Sequence, residues 1–81
     1  MSAKEMFEEL GYKQYIDIDY KSEILYSKKT NQGNKYIEFN MQYKEIVFPT
    51  YQYNPPYRYN LSLNELKAIN KQIEELGLEW W

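Results

Sequence analysis

The stretch ILYSKKTNQGNKYIEF, Ile24 to Phe39, decides how this chain is read. Ile24 and Tyr26 alternate with Leu25 and Ser27, and Ile37 and Phe39 alternate with Glu38 and Asn40. That period of two sends the larger apolar side chains to one face of a strand. Between the two runs, TNQGNK places Gly33 where a short hairpin needs a positive φ. Working outwards, Ile46 and Phe48 alternate with Glu45 and Val47, and MQYK (41–44) fits a four-residue hairpin loop. The centre therefore reads as a three-stranded antiparallel meander. YIDIDY (15–20) also alternates, Ile16 and Ile18 opposite Asp17 and Asp19, and is either a fourth, edge strand or an extended connection.

A helix is predicted on each side of this centre. Ser2-Ala3-Lys4-Glu5 is a capping box, with Met1 and Met6 at the hydrophobic-staple positions. The helix runs over Ala3 to Leu10 and stops at Gly11, where Tyr12 can fold back on Phe7; Ala3, Met6, Phe7 and Leu10 form its apolar stripe. Ser62-Leu63-Asn64-Glu65 repeats the capping box with Leu61 and Leu66 as staple, Gly77 is the stop, and Leu78 is placed to pack on Ile73. Leu66, Ile69, Ile73 and Leu76 recur at helical spacing and predict the buried stripe of this second helix. The expected fold is α+β, in the order α-β-β-β-α, with both helices packed on one face of the sheet. FEELG (7–11) and IEELG (73–77) echo each other because two helices end by one mechanism.

At 81 residues the chain (1–81) is a single domain. Hydrophobic residues at 43% are enough for a core; the anomaly is ten tyrosines. The absence of cysteine excludes disulfides and thiolate chemistry, and the absence of histidine removes the commonest neutral-pH base and metal ligand. No apolar run approaches membrane-spanning length and the first ten residues lack a signal-peptide pattern, so the expectation is a cytoplasmic protein. A net charge of −2 argues against wrapping of duplex DNA.

The phrases AKEMFEELGYKQY (3–15), KEIVF (44–48) and LSLNELKAINKQIEELG (61–77) resemble small uncharacterised phage and prophage proteins of Gram-positive bacteria. The resemblance covers both ends well and the middle loosely. It implies a mobile-element accessory protein of the bacterial cytoplasm that binds a host or phage component, and it brings no catalytic residues, metal ligands or cofactor. TYQYNPPYRY (50–59) departs from that pattern.

Asp17, Asp19 and Glu23 do not make an EF-hand, because Lys21, Ser22 and Lys28 stand at its fifth, sixth and twelfth positions. Solvated strand carboxylates are the expected reading. Ser2 and Ser62 serve as caps, Ser22 and Ser27 have no histidine to activate them, and no enzyme activity is expected. Between Ile24 and Ile37 every charge is positive: Lys28, Lys29 and Lys35. This basic tip either grips phosphate or keeps a strand end soluble and unpaired.

In TYQYNPPYRYN (50–60), Tyr51 and Tyr53 continue the third strand, Pro55 and Pro56 end pairing, and Tyr57 and Tyr59 flank Arg58. Such rings can cover the small sheet, make a protein contact, or stack on bases. Of Trp80 and Trp81, one is expected to seal the core and one to mark an interface. The sequence thus points to a non-enzymatic binder of a host or phage protein, with inhibition of a host function as one form of action, or of a second copy of itself. Tyr51, Tyr53, Tyr57, Arg58, Tyr59, Trp80 and Trp81 are its candidate protein contacts. The alternative is a binder of single-stranded nucleic acid or a nucleotide, with phosphate contacts from Lys28, Lys29, Lys35 and Arg58. A structural part of a phage particle is the third reading.

Overall fold

A computed structural model describes residues 1–16, 23–31, 33–48 and 60–77 of the chain. In chain order the elements are α1 (Ala3–Glu9), β1 (Lys13–Ile16), β2 (Glu23–Thr30), β3 (Gly33–Asn40), β4 (Glu45–Val47) and α2 (Leu63–Leu76). The strands pair antiparallel in the order β1-β2-β3-β4, so the fold is α+β with a four-stranded meander. The fourth strand is the edge element anticipated around YIDIDY, beginning at Lys13; residues 17–20 lie outside the described residues.

The central hairpin pairs Ile24 with Phe39, Tyr26 with Ile37 and Lys28 with Lys35, and closes at Thr30 and Gly33. Gly33 has φ 121°, which only glycine adopts cheaply. Residues 41–44 form the next turn, where the Asn40 side-chain oxygen accepts from the Tyr43 N–H at 3.1 Å. Lys44 leaves that turn at φ 54°, a left-handed conformation that strains a residue with a Cβ.

Directly paired residues share a face, so Ile24, Tyr26, Ile37, Phe39 and Ile46 lie together. Onto this face pack Phe7 of α1 and Ala68, Ile69 and Ile73 of α2. The Phe7 ring stacks on Tyr26 at 3.9 Å, and Phe39 meets Tyr26 edge-on at 6.0 Å. All three rings are fully buried. Truncating Phe7 to alanine is expected to cost about 3–5 kcal/mol, a large share of the roughly 4–12 kcal/mol available to a domain of this size.

α1 ends in the expected Schellman motif: Gly11 N–H donates to the Glu8 carbonyl at 3.0 Å and Tyr12 N–H to the Phe7 carbonyl at 3.0 Å. The accompanying side-chain contact is the Tyr12 ring, edge-on to Phe7 at 5.5 Å. Both capping boxes form as the sequence implied.

The helices run antiparallel. The N-terminus of α1 meets the far end of α2 through the Ala3 N–H, which donates to the Glu75 carboxylate at 2.9 Å. Glu75 sits unfavourably at the C-terminal end of its own helix, and the free N–H groups that open α1 compensate it.

The buried stripe of α2 differs from the expectation. Leu66 is 44% exposed, whereas Glu65, Ala68, Ile69, Gln72 and Ile73 are buried. Ile69 and Ile73 are buried as expected, but the centre of the stripe is turned by about half a residue, roughly 50°, because the polar groups of Glu65 and Gln72 find partners inside. Leu78, expected against Ile73, lies outside the described residues.

Candidate functional site

Two polar seams join α2 to the rest of the domain. In the first, Gln72 Oε1 accepts from the Tyr26 hydroxyl at 2.6 Å, and that hydroxyl accepts from Gln14 Nε2 at 3.0 Å. Burial pushes the Tyr26 phenol above its ordinary range, and the negative charges of Glu75 and Glu8 add to the effect, so it stays a neutral donor.

In the second seam, Glu65 accepts from the Tyr12 hydroxyl and from the Ser62 N–H at 3.0 Å, and pairs with Lys35 Nζ at 2.8 Å. Burial alone would raise its pKa. The hydrogen bonds from Lys35, Tyr12 and Ser62, together with the Lys35 charge, outweigh burial and hold Glu65 at about 2. The side chains of the ion pair are only 16% and 9% exposed, so the pair is largely withdrawn from water.

These seams account for two of the basic candidates. Lys28 and Lys35 are directly opposed across the hairpin on the helix-covered face. Lys35 donates to Glu65 and to the Asn60 carbonyl at 2.7 Å, and ties the start of α2 to β3. Lys28 Nζ stands 5.6 Å from the centre of the Tyr12 ring, a cation–π contact. Lys29 points to the opposite face, so the three lysines of the basic tip do not gather on one surface. Tyr51, Tyr53, Tyr57, Arg58, Tyr59, Trp80 and Trp81 lie outside the described residues.

The opposite face of the sheet has no helix against it among the described residues. Its rows follow from the register. From the hairpin tip they read Lys29 and Asn34; then Lys13, Ser27 and Tyr36; then Tyr15, Leu25, Glu38 and Val47; then Glu23, Asn40 and Glu45. Tyr15 is 53% exposed. Lys13 and Lys29 make no ion pair among the described residues. Burial, then the neighbouring Glu23 charge and a hydrogen bond with its carboxyl, raise Glu38 above the ordinary carboxylate range. The face is therefore basic at the tip, carries Tyr15, Leu25 and Val47 with Glu38 among them in the middle, and is acidic at the far end.

Ser27 is the short side chain in this pattern, flanked by Leu25, Lys29, Lys13 and Tyr36. The relief it leaves forms a concavity of about 430 Å³ lined by Gly11, Lys13, Tyr15, Ser27, Lys29 and Asn34.

Comparison of the chain with protein-family models, curated proteins and solved structures found no match.

Sequence reasoning found Lys29 but not Lys13 or Tyr15, although the alternation of KQYI (13–16) is the signal that would have placed both on one strand face. It read Glu65 only as a cap. Nothing local to Glu65 reveals that Tyr12 and Lys35 converge on it.

Proposed function

We propose that this chain is a non-enzymatic accessory protein of the phage type that acts by binding another protein, and that the helix-free face of the sheet is a principal contact surface. The observation that carries the reading is the exposure of Tyr15 beside Leu25, with Val47 at the other edge of the same row, on a face bounded by charges at both ends. Aromatic anchors framed by polar groups are the usual composition of an interface. By contrast, the buried tyrosines Tyr12 and Tyr26 are engaged by α2. The sequence likeness to phage and prophage proteins supports the mobile-element setting, the bacterial cytoplasm and a host or phage protein as partner. TYQYNPPYRYN (50–60) begins after β4 with Phe48 and Pro49 between, and is the second candidate contact.

The test is co-purification from a Gram-positive host lysate with the wild-type chain, Tyr15→Glu, Leu25→Lys, and the pair Tyr53→Ala and Tyr57→Ala. Loss of the same complex in the Tyr15 and Leu25 variants, with unchanged melting, supports the assignment. A complex indifferent to all four substitutions overturns it.

A second reading is favoured by the concavity around Ser27. Two lysines, a serine hydroxyl and an asparagine amide beside the Tyr15 ring suit a nucleotide, free or within a single strand: phosphate on the ammonium groups, base on the ring. Titration with AMP and with oligo-dT separates the two sources, and binding must fall steeply with salt and in Lys13→Glu.

A further inference from the structure

We infer that the occupant of the helix-free face is a second copy of this chain, docked sheet to sheet about a two-fold axis that lies between the sheets and runs across the strands. The inference rests on the protein-binding reading and names its partner. The argument is the charge order of the face.

A two-fold axis parallel to the strands keeps each row over the same row and, along β2, would set Lys29 over Lys29 and Glu23 over Glu23. An axis across the strands reverses their direction and leaves each strand over its own copy. On β2 the outward residues are Glu23, Leu25, Ser27 and Lys29. With the axis between Leu25 and Ser27, Lys29 of one copy faces Glu23 of the other, and the same pair recurs on the other side of the axis. Leu25 then faces Ser27, and enters the concavity that the short serine leaves between Tyr15 and Lys29. On β1 the same operation sets Lys13 over the Tyr15 ring, a cation–π arrangement. Glu23, which Glu38 crowds within one copy, gains most because it receives Lys29 from the other.

The arrangement pairs opposite charges at both ends and sets Leu25 against the short Ser27 in the middle, where Tyr36 comes over Glu38. A surface made for an unrelated partner has no reason to match its own image under one rotation. The sheet face covers roughly 400 Å² in projection at the usual strand spacing and rise. That is below the about 800 Å² per partner of a standard interface, so the dimer is expected to be weak and concentration-dependent.

The experiment is sedimentation equilibrium at low and high salt on the wild-type chain, Lys29→Glu, Glu23→Lys, an equimolar mixture of those two variants, and the double variant carrying both. Circular dichroism checks that each is folded. The expected result is a wild-type monomer–dimer equilibrium weakened by salt, and a loss of at least about tenfold in association for each single variant. Dimerisation should return in the mixture and in the double variant, because both restore every opposite-charge pair.

A wild-type chain that stays monomeric to about 1 mM, where a contact worth as little as roughly 4 kcal/mol would populate the dimer, overturns the inference. So does a dimer indifferent to both single variants, or one that neither the mixture nor the double variant rescues. If self-association fails while Tyr15→Glu and Leu25→Lys still abolish a complex with a host protein, the protein-binding reading survives without the second copy. If both fail, the face is covered by another segment of the same chain or is not an interface.

Discussion

Lys35 Nζ lies 2.8 Å from Glu65 Oε2, joining the first turn of α2 to β3 across thirty residues of sequence. The contact lies next to the Tyr12 hydroxyl, which bonds the same carboxylate. One acidic side chain thereby closes a helix cap, pairs with a strand lysine and satisfies a buried phenol.

Glu65 titrates at about 2 in the folded chain, below its ordinary value of 4.5. The unfolded chain therefore binds more protons than the folded chain between those values, and stability rises with pH across that window. The Glu65 contribution is complete above about pH 4.5 and is lost as pH falls towards 2. Glu65→Gln should be destabilised at pH 7 by on the order of 2 kcal/mol. Between pH 4.5 and 2 its stability should fall less steeply than that of the wild type. Urea unfolding at stepped pH measures both, and parallel pH curves would contradict the assignment.

Tyr26→Phe removes one hydroxyl that serves both Gln72 and Gln14. It leaves the buried Gln72 oxygen without its donor, and the expected loss is about 1–2 kcal/mol. Adding Gln72→Met, which replaces the orphaned amide by an apolar chain of similar length, should recover part of that loss. The coupling between the two sites is read from a double-mutant cycle in chemical denaturation.

Glu75→Gln keeps the shape of the side chain but removes the charge that faces the Ala3 N–H. A loss of roughly 0.5–1 kcal/mol is expected, in the range of charge–helix-terminus interactions. Amide hydrogen exchange should quicken in α1 more than in β2 or β3. A uniform increase across the domain would mean that the contact does not hold the first helix locally.

Lys44→Gly relieves the left-handed strain at the end of the second turn. The gain in the folded state, about 1–2 kcal/mol, is partly offset by the greater freedom of glycine in the unfolded chain, about 0.5–1 kcal/mol. A net stabilisation of roughly 0.5 kcal/mol should raise the midpoint of thermal unfolding by about 2–4 °C. Gly11→Ala provides the opposite case. Its φ of +95° and a Cβ 3.4 Å from Lys28 Cε make that substitution destabilising.

The sequence by itself determined whatever depends on neighbours in the chain. Alternation at Ile24–Tyr26 and Ile37–Phe39 sets a strand face, Gly33 sets a turn, and the capping boxes at Ser2 and Ser62 and the stop at Gly11 set helix ends. Each involves a few adjacent residues, so the pattern carries the physics. Only the tertiary structure decided the rotation of α2, the inward Glu65 and Gln72, the outward Leu66, and the docking of Glu75 on α1. Helical periodicity fixes the width of an apolar stripe but not its phase when a polar residue borders it. The cost of burying Glu65 is offset by Tyr12 and Lys35, which lie 53 and 30 residues away. The same holds for the basic tip. Three lysines close in sequence were divided between two faces, because register in a strand, rather than proximity along the chain, assigns each side chain to its surroundings.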